Sequence, residues 1–381
     1  MKFFVLVALI AVSAAAQNSI TQESPGYWVG TQSGVPVVPP HGRLTIVSRG
    51  PVILKGTNKQ ATFRLTQRVR ARSEAEARIF FGVVSNQATV GNAKFEVTTF
   101  PNVSTQLEMN VPRQLASVVV ETQNGTVEVY NLDGSLDAST AAGPIRVDGV
   151  GGAVVARTGG GDIRIGKIGS TLRCVTGAGS IFIENASGET SCETAGGEID
   201  VKEAGGKLTL STEGGNISVD HAGGSVDAHS GEGMIEVLQA GGVVTAGTRG
   251  GSIQIGSARG VRAESAAGQV HLKGSSGPLR VSAAAGSILA ELFNGIPFED
   301  SSLVSGLGDI TVLIPSNLAL SVMATNQSGG RNRGIVSDFS EVRLKDVGLF
   351  QAPAQAQGSI HGGGPMLTLN AAGGVIYLRK K

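Results

Sequence analysis

The chain has 381 residues, enough for one large domain or two ordinary ones, and its 31 basic and 30 acidic side chains give no electrostatic reason to bind nucleic acid or an anionic membrane. Glycine, at 56 residues, is about twice its usual share, yet there is no Gly-X-Y period, proline is ordinary at 13, and Val and Ile are plentiful. Collagen and disorder are therefore excluded, and aromatics at 4% are too few for a base-stacking platform.

The first sixteen residues have the layout of a secretory signal. Lys2 is the positive start, 3–12 is an apolar run, and Ala14, Ala15 and Ala16 supply a small-residue cleavage site before Gln17. The run is too short to span a bilayer as a helix. No cysteine follows it to carry a lipid, and no later stretch reads as a transmembrane helix. The expected location is outside the cytoplasm: periplasm, cell surface or medium.

Residues 17–115 read as an N-terminal lead-in and β cap. The segment 17–43, with Pro36, Pro39 and Pro40, is expected to be extended. Strand-like runs follow at 44–47, 51–54 and 61–69, with one short helical stretch at 73–78.

Residues 116–295 form a Gly-rich repeat of nine residues. From Gly196 it reads GGEIDVKEA, GGKLTLSTE, GGNISVDHA, GGSVDAHSG. The second position is Gly and the fourth and sixth are apolar, which is a short strand after a turn. The glycine marks either an unusual backbone angle or tight packing. Alternate repeats differ. One set is bulky at positions four and six, as in Ile199 and Val201 or Ile217 and Val219. The other is mostly small at position six (Ala138, Ala156, Cys174, Cys192, Ala228, Ala246) and carries a hydroxyl two positions later (Thr140, Thr158, Thr176, Thr212, Thr248). The period is thus eighteen, two strands to a coil, with a bulky strand facing a small one across a narrow core. The fold class is all-β, a parallel β-solenoid or β-helix capped at both ends. The hydroxyl column reads as a ladder that satisfies turn backbone. Residues 296–381 continue the solenoid and cap it. Leu367 and Leu369, then Ile376 and Leu378, return to rung spacing and are expected to close the C-terminal end.

No catalytic, cofactor-binding or metal-binding residues emerge. Calcium β-rolls share the nine-residue period but need Asp at position six, which here is apolar. The five histidines, His41, His221, His229, His271 and His361, lack metal spacing and read as surface or turn residues. A carbohydrate-cleaving β-helix needs paired outward carboxylates. The outward columns Glu128, Arg146, Arg164, Phe182, Asp200, Ser218, Glu236, Gln254 and Asp137, Val155, Arg173, Ser191, Thr209, Asp227, Thr245 offer no adjacent pair. Cys174 and Cys192 are eighteen apart in one core column. An exported protein favours oxidation, while the side-by-side strand spacing is slightly long for the bond, so a disulfide and two buried thiols both remain open.

The runs GGEIDV, GGNISV and GGSIQI, the GDITVLIP segment and the closing GGGPMLTLNAAGGVIYLRK resemble the bacterial putative-adhesin family over residues 115–381. That family has Gly-rich β-solenoid repeats and no known biochemical function. The resemblance implies a cell-envelope or exported location and an adhesive or scaffold role, with no catalytic residues or cofactors to carry over. The expectation is a non-catalytic binding protein for a surface or envelope ligand, glycan or protein. The Tyr27-Trp28 lead-in and the 326–364 loops are candidate contact points. The alternative is a polysaccharide-acting β-helix enzyme of the envelope.

Overall fold

The computed structural model describes residues 17–295, 297–327, 334–345 and 355–381; the expected signal segment 1–16 lies outside them. Within them the chain is all-β apart from one helix, Glu74–Phe80. It divides into two compact units, the first ending at Gly188 and the second starting at Glu189.

In the first unit the strands Val127–Leu132, Ile145–Val150, Ile163–Ile168 and Ile181–Ala186 pair in parallel, with Val127, Ile145, Ile163 and Ile181 in register. Ser117–Thr122, Ser135–Thr140, Val154–Thr158 and Leu172–Thr176 form the second sheet in the same way. In the second unit Ile199, Ile217, Ile235 and Ile253 stack eighteen residues apart, and Leu208, Val226 and Val244 stack opposite them. Two strands per coil and the inward position-four and position-six columns are as the repeat predicts. A third buried column accompanies the bulky strand: Leu132, Val150 and Ile168 in the first unit, Ala204, Ala222 and Ala240 in the second. It follows an irregularity in the alternation, so a period-two reading passes over it. Full burial of each Ile or Leu contributes about 1.5–3 kcal/mol, so these columns dominate stability.

The glycines preceding the bulky strands answer to packing. A Cβ built on Gly215 would run into Gly197 O, one on Gly233 into Gly215 O, and one on Gly251 into Gly233 O. Each glycine thus lies against the carbonyl of its counterpart one coil earlier, which bars any side chain from the stack.

The hydroxyl column lies inside the turns and bonds as the sequence suggests. Thr158 Oγ1 donates to Gly143 O at 2.8 Å and accepts from Gly161 N at 3.2 Å. Thr212 and Thr248 repeat the arrangement, the latter donating to Gly233 O and accepting from Gly251 N, both at 3.1 Å. One hydroxyl thus ties its own turn to the preceding coil. Thr248→Val keeps the shape but leaves a buried N–H and C=O without these partners, so a loss of about 1–3 kcal/mol is expected by urea denaturation. Thr248→Ser keeps both bonds and should lose less.

Both ends depart from sequential stacking. Arg43–Ser48 lies between Asn92–Thr98 and Ser117–Thr122, and Val52–Thr57 lies between Ser104–Pro112 and Val127–Leu132. The first coil in the chain is therefore second in the stack. Antiparallel strands then cover the outer rung: Val83–Thr89 on one sheet, and Thr62–Arg70 followed by Tyr27–Gly34 on the other. The segment expected as an extended lead-in contains a β-hairpin, Gln17–Ser24 with Tyr27–Gly34, turning at Gly26 with φ 79°. A left-handed glycine closes this turn without strain. Ser73 caps the helix by accepting from Glu76 N at 3.2 Å, and Ala77 packs on Val69, Ala71 and Val103.

At the other end, Met366–Ala371 lies between Ser301–Ser305 and Leu320–Asn326, and Ile376–Lys380 lies between Ile310–Ile314 and Ile335–Ser337. The expectation that Leu367, Leu369, Ile376 and Leu378 close the end is corrected: they form an interior rung. In one sheet the outer cover is Leu320–Asn326 with the antiparallel strands Gln355–Ile360 and Val342–Lys345.

Candidate functional site

The residues singled out from sequence fall into structural roles. Trp28 Nε1 donates to Ala71 O at 3.2 Å, and the indole packs against the helix cluster. Tyr27 is stacked under Arg68, 5.0 Å from ring centroid to guanidinium, and Arg68 pairs with Glu23 at 2.7 Å. Of the 326–364 loops, residues 328–333 and 346–354 lie outside the described residues. Cys174 and Cys192 are buried thiols outside any disulfide, which corrects the bonded alternative. Each fills a small-residue core position of its own unit as a small apolar side chain. His41 and His361 sit at left-handed turn positions, with φ 58° and 50°. His229 meets Asp227 at 2.8 Å and His271 meets Glu291 at 3.1 Å, both on outward rows.

The outer surfaces carry the remaining chemistry. In the first unit, the row Glu128, Arg146, Arg164, Phe182 runs across one sheet, with Arg164 5.0 Å over the Phe182 ring. Tyr130 donates to Glu128 Oε2 at 3.0 Å; burial, then that bond, pushes its hydroxyl pKa up. In the second unit Lys202 bridges Asp200 and Asp220, each at 3.2 Å, and these bonds hold its ammonium pKa up.

A cavity of about 570 Å³ opens on the second sheet of the first unit, lined by Arg49, Glu96, Thr98, Glu121 and Gln123 among others. Arg49 Nε donates to Gln123 Oε1 at 3.0 Å and its NH1 group donates to Thr99 O at 3.1 Å. The out-of-order coil creates this arrangement. Val47 lies between Glu96 and Glu121, so two carboxylates distant in the repeat flank one strand. The outward columns of the regular repeat gave no sign of it.

A second cavity, about 540 Å³ and open to solvent, lies on the corresponding sheet of the second unit. Its row is Arg262, Arg280, Ser302, Thr368, in register on four neighbouring strands. The sequence did hold a signal here. The outward column Thr209, Asp227, Thr245 continues to Arg262 and Arg280 once the one-residue deletion before Val261 is followed.

On the other sheet of this unit, Glu291 accepts from Lys381 Nζ at 3.0 Å and lies 3.1 Å from His271 Nε2. Lys381 also sits 3.4 Å from the Phe293 ring centroid. The Lys381 bond first, and His271 after it, hold the Glu291 carboxyl below the usual range against the opposing effect of burial. A pKa lowered on folding gives stability that is present above the unfolded pKa and lost as pH falls through the folded one. The stability difference between wild type and Glu291→Gln is therefore expected to be constant near neutrality and to shrink below about pH 4.3. Thermal melts between pH 3 and 7 check it.

Among the described residues no cluster of three or more His, Cys, Asp or Glu could hold a metal ion. No described helix is long and apolar enough to cross a membrane.

No family model matches the chain, and no curated protein matches it. Among solved structures, it is similar to a putative cell adhesion protein from Clostridium sporogenes, at 8% identity over 96% of this chain and 100% of that one, TM-score 0.15. A putative lipid binding protein from Parabacteroides distasonis gives 14% identity over 74% and 97%, TM-score 0.32. A putative adhesin from the same organism gives 11% over 74% and 91%, TM-score 0.23. Likenesses at these scores carry no inference about function.

Proposed function

We propose that the chain is an exported β-solenoid that binds a surface or cell-envelope ligand by its outer sheet faces, in an adhesive or scaffold role. The signal-like layout of residues 1–16 and the family resemblance of the repeat support export and adhesion. The observation that carries binding is the open cavity along the row Arg262, Arg280, Ser302, Thr368. Parallel strands present one outward residue about every 4.8 Å, so the row is a rigid, linear set of polar groups suited to an extended ligand. The fold holds it in place before binding, which limits the ordering cost of association.

A competing reading has one observation in its favour. Glu96 and Glu121 flank Val47 beside the cavity in the first unit, and two carboxylates beside a cleft are what glycoside hydrolysis uses. One experiment separates the two. Purified protein is incubated with envelope polysaccharides and extracts, and both saturable binding and released reducing sugar are measured. Binding without product supports the adhesive role. Sugar release abolished by Glu96→Gln or Glu121→Gln would overturn it.

A further inference from the structure

We propose that the cavity on the second unit is a site for a carboxylate-bearing sugar, with Arg280 receiving the carboxylate. The proposal rests on the binding role above and names its ligand class.

Arg280 is the starting point. It is exposed and lines the cavity, and among the described residues it has no ion-pair partner. Its neighbours are otherwise engaged. Arg262 faces Glu264 Oε1 at 3.4 Å, and Asp300 Oδ1 accepts from Met366 N at 2.7 Å. Arg280 is thus the one guanidinium of the cavity without an ion pair, while Asp300 keeps its charge and spends one oxygen on a backbone N–H. A guanidinium presents a planar fork that matches a carboxylate with two parallel hydrogen bonds.

The rest of the lining suits a sugar ring. Ser302 and Thr368 continue the row, one and two strand steps from Arg280, and offer hydroxyls to ring oxygens. Val304, 39% exposed, and Met366 add an apolar patch beside them for the hydrophobic face of a ring. No aromatic residue lines the cavity, which argues against bases, and a single free cation is too little for a polyphosphate backbone.

The repeat is also altered here. Val244 pairs with Val261, seventeen residues on, and Val281 pairs with Leu303, twenty-two on, where eighteen is the rule. The longer coil brings in Asp300 and Ser301, both of which line the cavity. Ser301 is built into the wall: its hydroxyl accepts from Leu279 N at 3.0 Å and donates to Glu299 O at 2.7 Å.

The test is calorimetric titration of the full chain with oligogalacturonate, beside neutral cello-oligosaccharide, a sulfated oligosaccharide and inorganic polyphosphate. Oligogalacturonate is expected to bind, with the neutral probe at least about tenfold weaker and the sulfated and phosphorylated probes no tighter. Arg280→Ala should lose at least about tenfold in affinity, and Arg280→Lys, which keeps the charge without the fork, should recover only part. Arg146→Ala, on the first unit, should bind as wild type does. Equal binding by wild type and Arg280→Ala, or preference for the sulfated or phosphorylated probe, would overturn the assignment. If Arg280→Ala still binds envelope extract as wild type does, this site falls and the general binding role stands. If wild type binds no extract at all, the role itself falls.

Discussion

Replacing Gly215 with alanine is expected to destabilise the protein by about 2–4 kcal/mol, while the same change at Gly214 should be close to neutral. The two glycines are neighbours with similar sequence surroundings, and they differ in what lies above them. A Cβ on Gly215 would meet Gly197 O, with Gly197 C and Glu198 N close behind, all of it backbone of the preceding coil. A backbone wall cannot rotate aside, so the coils must part, and parting them weakens the strand pairing on either side. A Cβ on Gly214 would have its nearest neighbour at 3.8 Å, an ordinary contact. At about 2–4 °C per kcal/mol for a unit of this size, the Gly215 variant should melt on the order of 5–15 °C below wild type. Matching melting temperatures for the two variants would show that the glycine column is not held by stacking.

Removing residues 365–381 should unfold much of the second unit rather than fray its end. Leu367, Leu369, Ile376 and Leu378 are fully buried, at 0% exposure. At about 1.5–3 kcal/mol each, their burial is on the order of 6–12 kcal/mol, comparable to the whole stability of a typical domain. The strands they belong to are bonded on both sides, so their loss strips partners from Ser301–Ser305 and Leu320–Asn326 together. Hydrogen exchange by mass spectrometry checks the point. In the full chain the 366–371 amides should be as protected as those of 301–305. In the truncated chain the protection of 301–305 should collapse. Retained protection there would mean that the last strands are an outer cover after all.

Much of the fold was legible because a solenoid repeats its sequence constraints. Bulky Ile217 and Ile235 stack on each other, Ala228 stacks on Ala246, and Thr212 and Thr248 fill one turn position, so the period, the sheets and the ladder could be read together. The column of Leu132, Val150 and Ile168 escaped because the strand loses its strict alternation before it. The interleaved rungs escaped for a different reason. Ile376 has the apolar spacing of a rung, but nothing local says that it pairs with Ile310, sixty-six residues earlier, ahead of the strand Ile335–Ser337. The Arg262 and Arg280 pair lay in reach of the repeat, past a single deletion. The flanking of Val47 by Glu96 and Glu121 did not, because it exists only through out-of-order pairing.

The most direct test of an eighteen-residue coil is to delete parts of it. Deletion of residues 216–233 removes one whole coil and joins Gly215 to Met234, which keeps every column in its sheet. Deletion of 216–224 removes half a coil and joins Gly215 to Ser225, which sends the bulky and small strands to the wrong sides of the core. Because coils contact only their neighbours, the first variant should remain soluble and melt cooperatively by circular dichroism, with a modest loss of stability. The second should fail to fold or lose its cooperative transition. Equal folding of both variants, or folding of the nine-residue deletion alone, would contradict the two-strand coil.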